Sequence, residues 1–326
     1  MGLFTRLTDD EMSAVAESFC LGDVRSFSGI AAGTVNSNYR LETSQGVFFI
    51  RVNEGKSEED VLYETELVEY LVERGVPTPR ALPTRDGRRF LDLGFGLTTA
   101  FPWREGGHVA TRDLAVPDVY RIGRLLGKIH QASASFPRRR ESLYGFLQIV
   151  DRWRGFAGSE DPELRDAISW VADEIDWLND RAAHRATLPR GVIHGDLFPD
   201  NVLFHEQGAI TLLDFEQASD GTFIYDLAVC LVSWCYVDVF IPERVRALRE
   251  GYEEARPLSP EERESIYVEA RAAAMRFTVT RITDVYLNID ATPYVKRHKD
   301  FRRYLGRLRE LRKLEARGMA RILGLP

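Results

Sequence analysis

Apolar residues recur along this chain with two different periods, and the period changes partway through. Thr8-Asp9-Asp10-Glu11 precedes a helical apolar pattern, and Thr8 with Glu11 three residues on forms a capping-box signature, so a short helix opens the chain. Alternating and β-branched runs follow at 26–30, 37–42 and 46–52, the last two joined by a Ser44-Gln45-Gly46 turn, and these predict strands. Residues 58–74 return to the helical period and stop at Gly75, before Val76-Pro77-Thr78-Pro79, the punctuation expected of a helix end. Strands are expected again at 88–93 and 96–101, around an Asp86-Gly87 turn. The helical pattern then takes over, at 117–133, 162–183, 226–236, 242–254, 260–288 and 301–323. Pro162, Pro242 and Pro260 stand where a first helical turn tolerates a missing N–H. Only 192–194, 202–204 and 209–213 interrupt it as short β segments.

Strands therefore gather at the front and helices behind them. This segregation predicts an α+β chain with a small sheet-rich lobe over 1–101 and a larger helical lobe over 102–326. No repeat or low-complexity tract breaks the pattern, and Phe136-Pro-Arg-Arg-Arg-Glu141 reads as an exposed loop. At 326 residues, 44% of them hydrophobic, the chain can bury a sizeable core without staples. Its three cysteines, Cys20, Cys230 and Cys235, form no CxxC pair and argue against a disulfide framework or a thiolate zinc site. A formal net charge of −7 argues against a nucleic-acid partner. The one basic stretch, 296–321, holds eleven Lys and Arg, but Phe301, Tyr304, Leu305, Leu308, Leu311 and Leu314 recur at helical spacing, so these cations read as the wet face of an amphipathic helix. No apolar run is long enough to span a bilayer, and acids arrive too early for a secretory signal. The expectation is a cytoplasmic protein, monomeric or homodimeric, with no membrane partner.

Chemistry concentrates in Val192-Ile-His194-Gly195-Asp196-Leu-Phe-Pro-Asp200-Asn201-Val-Leu-Phe204 and, ten residues on, in Asp214-Phe215-Glu216. Two acids and an amide, each beside a short β segment, suit magnesium-assisted phosphoryl transfer. Mg²⁺ prefers hard oxygen ligands, and a carboxylate with an Asn carbonyl supplies them while phosphate oxygens and water complete the octahedron. A further carboxylate must stay available to orient the attacking hydroxyl and take its proton. Asp196 is the candidate base; Asn201 and Asp214 are the candidate metal ligands.

His194-Gly-Asp-Leu-Phe-Pro-Asp-Asn201 resembles the catalytic loop of the aminoglycoside phosphotransferase and choline kinase superfamily, which has a protein-kinase-like fold. Asp214-Phe-Glu216 resembles its magnesium segment, and Tyr225-Asp226-Leu227-Ala228 the helix start that follows. The resemblance implies ATP and Mg²⁺ as cofactors and a small-molecule alcohol as acceptor. It also implies that His194 braces the loop, and Asp226 is expected to do the same as an N-cap. Gly29-Ile-Ala-Ala-Gly33-Thr-Val-Asn36-Ser-Asn38 resembles the family's glycine-bearing phosphate loop, with Gly33 and Asn36 as candidate nucleotide contacts. Arg51, in Phe48-Phe-Ile-Arg51-Val, stands where the family usually has Lys; it keeps the charge and can grip phosphate bidentately. Glu64 is its expected partner and Glu66 the fallback. Thr98-Thr-Ala100-Phe-Pro-Trp103 is the expected inter-lobe hinge, with Ala100 offering backbone groups to an adenine edge.

Within the superfamily the resemblance is closest to bacterial homoserine kinases and runs from about Thr8 to Leu314, through Gly75-Val-Pro-Thr-Pro79, the catalytic loop, 225–235 and 271–284. The region after Asp226 is apolar and aromatic, unlike the acid-rich loop expected for an aminoglycoside. The sequence departs from the homoserine kinase pattern at Val232-Ser233, where Asn-Asp is usual, and Asp214-Phe-Glu216 is closer to choline and ethanolamine kinases. A carboxylate-bearing acceptor needs a cation, and Arg276 and Arg281, which interrupt an apolar helix, are the candidates. The reading is an ATP-dependent kinase of a small amino alcohol, homoserine foremost. A choline, ethanolamine, sugar or aminoglycoside kinase of the same fold is the alternative, and a catalytically inactive nucleotide-binding protein is a third possibility.

Overall fold

The computed structural model describes residues 5–30, 36–206, 208–289 and 291–325. Along the chain run α1 (Asp9–Ser18), β1 (Val24–Gly29), β2 (Ser37–Thr43), β3 (Gly46–Asn53), α2 (Glu58–Glu73), β4 (Leu91–Asp92), β5 (Leu97–Pro102), α3 (Val116–Ser133), α4 (Phe146–Arg154), α5 (Arg165–Asn179) and α6 (Ala182–Arg185). Then come β6 (Arg190–Ile193), β7 (Val202–Phe204), β8 (Ile210–Leu212), β9 (Ser219–Thr222), α7 (Phe223–Trp234), α8 (Pro242–Ala255), α9 (Pro260–Arg281), α10 (Pro293–His298) and α11 (Arg302–Leu323). They form two compact units: one runs to Gly107 and takes in Leu203–Glu216, the other comprises His108–Val202 and the chain from Gln217 on.

In the first unit five antiparallel strands are ordered β1-β2-β3-β5-β4. The two-residue period of β3 sorts its side chains between the faces. Ile50 and Val52 are fully buried in a core with Met12, Val15 and Ala16 of α1, so the intervening Arg51 turns to the other face. Both helices are capped as their sequences ask: Thr8 with Glu11, and Ser57 with Asp60, exchange the two capping-box hydrogen bonds. The helix over 58–74 ends at Gly75, whose φ of +80° is a left-handed turn that favours glycine. The strand expected at 88–93 shrinks to two residues, because Thr84 N–H donates to the Arg88 carbonyl and closes the Asp86-Gly87 turn over that stretch.

The second unit is built on helices. In α7 eleven residues, Asp226 among them, are buried, as an all-round apolar helix must be. Helices α3 and α8 touch backbone to backbone: a Cβ at Gly123 would overlap the Leu248 carbonyl oxygen, and one at Gly251 the Tyr120 carbonyl oxygen. Two buried charges on α9 are matched across the core, Arg271 forking onto Glu174 at 2.7 and 2.6 Å and Glu269 receiving Arg185 at 2.6 and 2.9 Å. The helix expected over 260–288 ends as α9 at Arg281 and passes into a π-turn over Ile282–Tyr286. The one expected over 162–183 begins only at Arg165, after a turn that Leu164 N–H closes onto Asp161. Helices α4 and α10 were too short for their periodicity to show. No helix of the described residues is long and apolar enough to cross a membrane.

Candidate active site

In the first unit, Arg51 is buried, and its Nη1 lies 3.0 Å from Glu64 Oε1 of α2 and 3.7 Å from Asp214 Oδ1. Glu64, not Glu66, is the partner. A second cation joins them: Lys56 Nζ lies 2.9 Å from Glu216 Oε2 and 3.4 Å from Glu64 Oε2. Asn36 Nδ2 donates to the same Glu216 oxygen at 2.7 Å. Burial and repulsion from Glu216 push the Asp214 carboxyl up to about 6, whereas Lys56 and Arg51 outweigh burial and hold Glu216 below the ordinary carboxylate range. The clustered acids likewise outweigh burial and raise Arg51 and Lys56, so both stay charged.

Asp214 has a φ of +63°, the left-handed region that costs a non-glycine residue about 1–3 kcal/mol and that clusters at functional positions. Its Oδ1 is buried without a hydrogen-bond partner among the described residues. Three carboxylates (Glu64, Asp214, Glu216) face two cations (Arg51, Lys56), leaving one negative charge in excess when all are ionised. This oxygen-rich set, short of a cation, fits a hard divalent ion such as Mg²⁺. Among the described residues no three His, Cys, Asp or Glu are grouped so as to hold a metal ion by themselves. Ala100 lies inside β5, buried opposite Ile50, with its carbonyl already accepting Leu82 N–H at 2.7 Å. Gly33 lies outside the described residues.

In the second unit β6 leads into the loop at His194. Asp226 clamps this loop: its Oδ2 accepts His194 N–H at 2.7 Å and its Oδ1 accepts Gly195 N–H at 2.8 Å. The expected bracing role holds, but the helix N-cap is Thr222, and Asp226 sits in the first turn. His130 Nε2 is 3.0 Å from Asp226 Oδ2 and its Nδ1 2.7 Å from the Tyr252 hydroxyl. An ionised Asp226 can only accept, so Nε2 carries the proton and Nδ1 accepts from Tyr252. Burial holds His130 below 6.5, and hydrogen bonds from His130 and the loop outweigh burial to hold Asp226 below the usual carboxylate range. Trp234 Nε1 donates to the Leu197 carbonyl at 2.7 Å, and His194 Nδ1 accepts Asp196 N–H at 3.3 Å.

Asp196 itself is only half-buried, with Gln217 Nε2 3.4 Å from its Oδ2. Asn201 Nδ2 donates to the Asp196 carbonyl at 2.7 Å, which leaves the Asn201 Oδ1 as an oxygen donor. Arg276 does not lie on the surface: Nη1 donates to the Gly195 carbonyl and Nη2 to Gln217 Oε1, each at 2.5 Å. Arg281 is half-buried over the Tyr304 ring, 4.4 Å from its centroid. Lys56, His130 and Gln217 were not legible in the sequence, because each meets the site through folding and none stands at a motif spacing.

A sheet carrying a buried Arg–Glu pair beside an aspartate, and a helical unit presenting a braced Asp–Asn loop, are the marks of a protein-kinase-like phosphotransferase. The model of the phosphotransferase enzyme family matches residues 26–258. The homoserine kinase of Parvibaculum lavamentivorans is 33% identical over 325 residues, covering 95% of each chain. That of Rhodopseudomonas palustris is 35% identical over 315 residues, covering 95% of this chain and 94% of its own. A microcompartment-associated aminopropanol kinase shares the fold with a TM-score of 0.69, at 17% identity, over 95% of this chain and 99% of that one. The chain belongs to the phosphotransferase enzyme family.

Proposed function

We propose that the protein is an ATP-dependent homoserine kinase, which transfers the γ-phosphate of ATP to the primary hydroxyl of L-homoserine. The observation that carries the reading is full-length similarity to homoserine kinases, 33–35% identical over 95% of this chain, together with Asp196, Asn201 and Asp214 at their expected places in the motifs. In this reading Asp196 accepts a hydrogen bond from the acceptor hydroxyl and takes its proton as the oxygen attacks phosphorus. The P–O bond to ADP breaks in the same displacement. Asp226, His194 and Arg276 fix the loop backbone leading into Asp196 and Trp234 fixes Leu197 just after it, so that little reorganisation remains for the reaction itself. Asp214 and the Asn201 carbonyl would hold Mg²⁺, which when bound neutralises and orients the triphosphate. Arg51 binds phosphate oxygens, with Glu64 setting its orientation, and Lys56 with Asn36 keeps Glu216 in place beside Asp214. The protein works without a membrane or nucleic-acid partner and in the cytoplasm.

The test is ADP release by the purified protein with Mg·ATP and a panel of alcohols: L-homoserine, L-serine, choline, ethanolamine, 3-aminopropan-1-ol, a hexose and an aminoglycoside. Homoserine should have the highest kcat/KM. A higher value for choline or ethanolamine would replace homoserine while keeping the reaction type.

A further inference from the structure

Deepening the homoserine reading, and resting on it, we propose that Arg281 and Arg307, seated on the ring of Tyr304, form the subsite for the acceptor's carboxylate. Arg307 belongs to the basic C-terminal helix, whose cations read from sequence as a solvated face. The structure buries this one: it is 6% exposed, with its guanidinium 4.4 Å from the Tyr304 ring centroid and 4.7 Å from that of Tyr236. Its hydrogen bonds go to neutral carbonyls, Val232 at 2.7 Å and Arg303 at 2.8 Å. Arg281 shares the Tyr304 ring and has one long bond, 3.4 Å, to the Asp300 carbonyl.

Among the described residues neither arginine pairs with a carboxylate. Buried Arg51 and Arg271 and half-buried Arg185 each face one, and buried Arg244, which faces none, spends its guanidinium on three loop carbonyls at 2.7, 3.2 and 2.6 Å. Two cations on one aromatic ring, one buried and one half-buried, without a counter-ion, are unfavourable until an anion arrives. Burial, with repulsion from neighbouring arginines, accordingly holds both guanidinium groups below their ordinary pKa.

Space and position suit a small substrate. Arg307 lines a pocket of about 500 Å³ together with Thr111, Arg112, Tyr236, Arg303 and a single acid, Asp238, while Arg281 and Tyr304 stand behind its wall. Tyr304 also meets the catalytic loop, its ring centroid lying 6.2 Å from that of Phe198, two residues beyond Asp196. Asp196 and Asp200 are near enough to act on the charge of Arg281 without pairing with it. A subsite in which Arg281 feels the charge of the base suits a molecule whose anionic group and reacting hydroxyl are separated by a few bonds. Arg276 is committed to the Gly195 carbonyl and to Gln217, which leaves the carboxylate to this pair.

The experiment compares L-homoserine with 3-aminopropan-1-ol, which is homoserine without its carboxylate, in the full-length protein and in Arg281→Gln and Arg307→Gln. If wild type phosphorylates neither, or choline better than both, the homoserine reading fails whatever the variants do. If wild type prefers homoserine, each variant should lower the homoserine to 3-aminopropan-1-ol ratio of kcat/KM by ~10- to 100-fold, the range for losing one charge-assisted hydrogen bond. The loss should fall mainly on KM for homoserine, with KM for ATP retained and Arg281→Lys recovering part of the ratio. An unchanged ratio in Arg281→Gln, the less buried position, overturns the subsite even if Arg307→Gln folds poorly. A rise in KM for ATP with the ratio intact also overturns it, and assigns the pair to nucleotide phosphate.

Discussion

Arg51 and Glu64 meet at 3.0 Å from two elements of opposite character, the third strand and the following helix, and the pair is buried on the face of the sheet away from α1. Glu64 also receives Lys56, and Arg51 also faces Asp214, so the contact is the centre of a five-member charge cluster. Arg51→Ala should therefore raise the ATP KM and lower kcat together, since phosphate placement carries much of the catalysis. Arg51→Lys keeps the charge and should be better tolerated. Steady-state kinetics at saturating acceptor, with ATP varied, separates the two variants.

Asp196 and Asp214 should fail differently. Asp196→Asn keeps the shape of the loop but removes the base, and should lower kcat by ~10²–10⁴ while Mg·ATP binding persists. Asp214→Asn should weaken nucleotide binding only when Mg²⁺ is present. Calorimetric titration of a non-hydrolysable ATP analogue, with and without Mg²⁺, distinguishes them. Near-normal turnover in Asp196→Asn would remove that residue from the proton-transfer role.

Arg276 ties the loop that bears Asp196 to Gln217 through two short hydrogen bonds. Arg276→Ala leaves a buried carbonyl without its charged donor and should cost about 1.5–3 kcal/mol of stability, measured by urea unfolding. Because it positions the base and does not touch substrate, the kinetic loss should appear in kcat, with KM for acceptor and ATP little changed. Were KM for the acceptor to rise steeply instead, Arg276 would belong to the substrate site.

Acid stability should carry the mark of His130. Burial holds it neutral in the native state below its ordinary 6.5, whereas the unfolded chain takes up the proton as pH falls past that value. The unfolded state then binds more protons, so stability is complete above pH 6.5 and declines as pH drops from 6.5 toward the depressed native value, by at most about 1.4 kcal/mol per pH unit. Asp226, depressed from 3.8, adds a separate loss below that pH. Thermal unfolding from pH 8 to 4.5 should therefore be flatter between pH 6.5 and 5 in His130→Gln than in wild type, although the variant starts less stable.

The contact of α3 with α8 has no room for a methyl group. Gly123→Ala and Gly251→Ala each drive a Cβ into a backbone carbonyl of the facing helix, and neither backbone can yield without parting the helices. Each substitution should cost more than the ~1–3 kcal/mol usual for overpacking by one methylene. Gly158→Ala, where a Cβ meets nothing within 4 Å, is the control and should leave the denaturation midpoint close to wild type.

Sequence alone determined the order of the main elements, though not the short α4, α10 and β9, and the residues of the two chemical segments. The two-residue period placed β2, β3 and β5, the capping box at Thr8 fixed where α1 begins, the helical period with Gly75 after it placed α2, and loop residues with oxygen ligands at 196, 201 and 214 carried the reaction class. These signals are local: each depends on neighbours within a few positions, and a linear pattern retains them. The partners of those residues are a different matter. That Lys56 joins Glu216, that His130 supports Asp226, that Arg276 grips the loop and that Arg307 is buried on Tyr304 while its helical neighbours remain solvated were decided by packing between elements 75 to 160 positions apart in the chain or brought together by a turn. Helical periodicity says that a cation lies off the apolar stripe, but the neighbouring helix decides whether that place is water or a ring. Burial then turns an ordinary arginine into a charge in need of an anion.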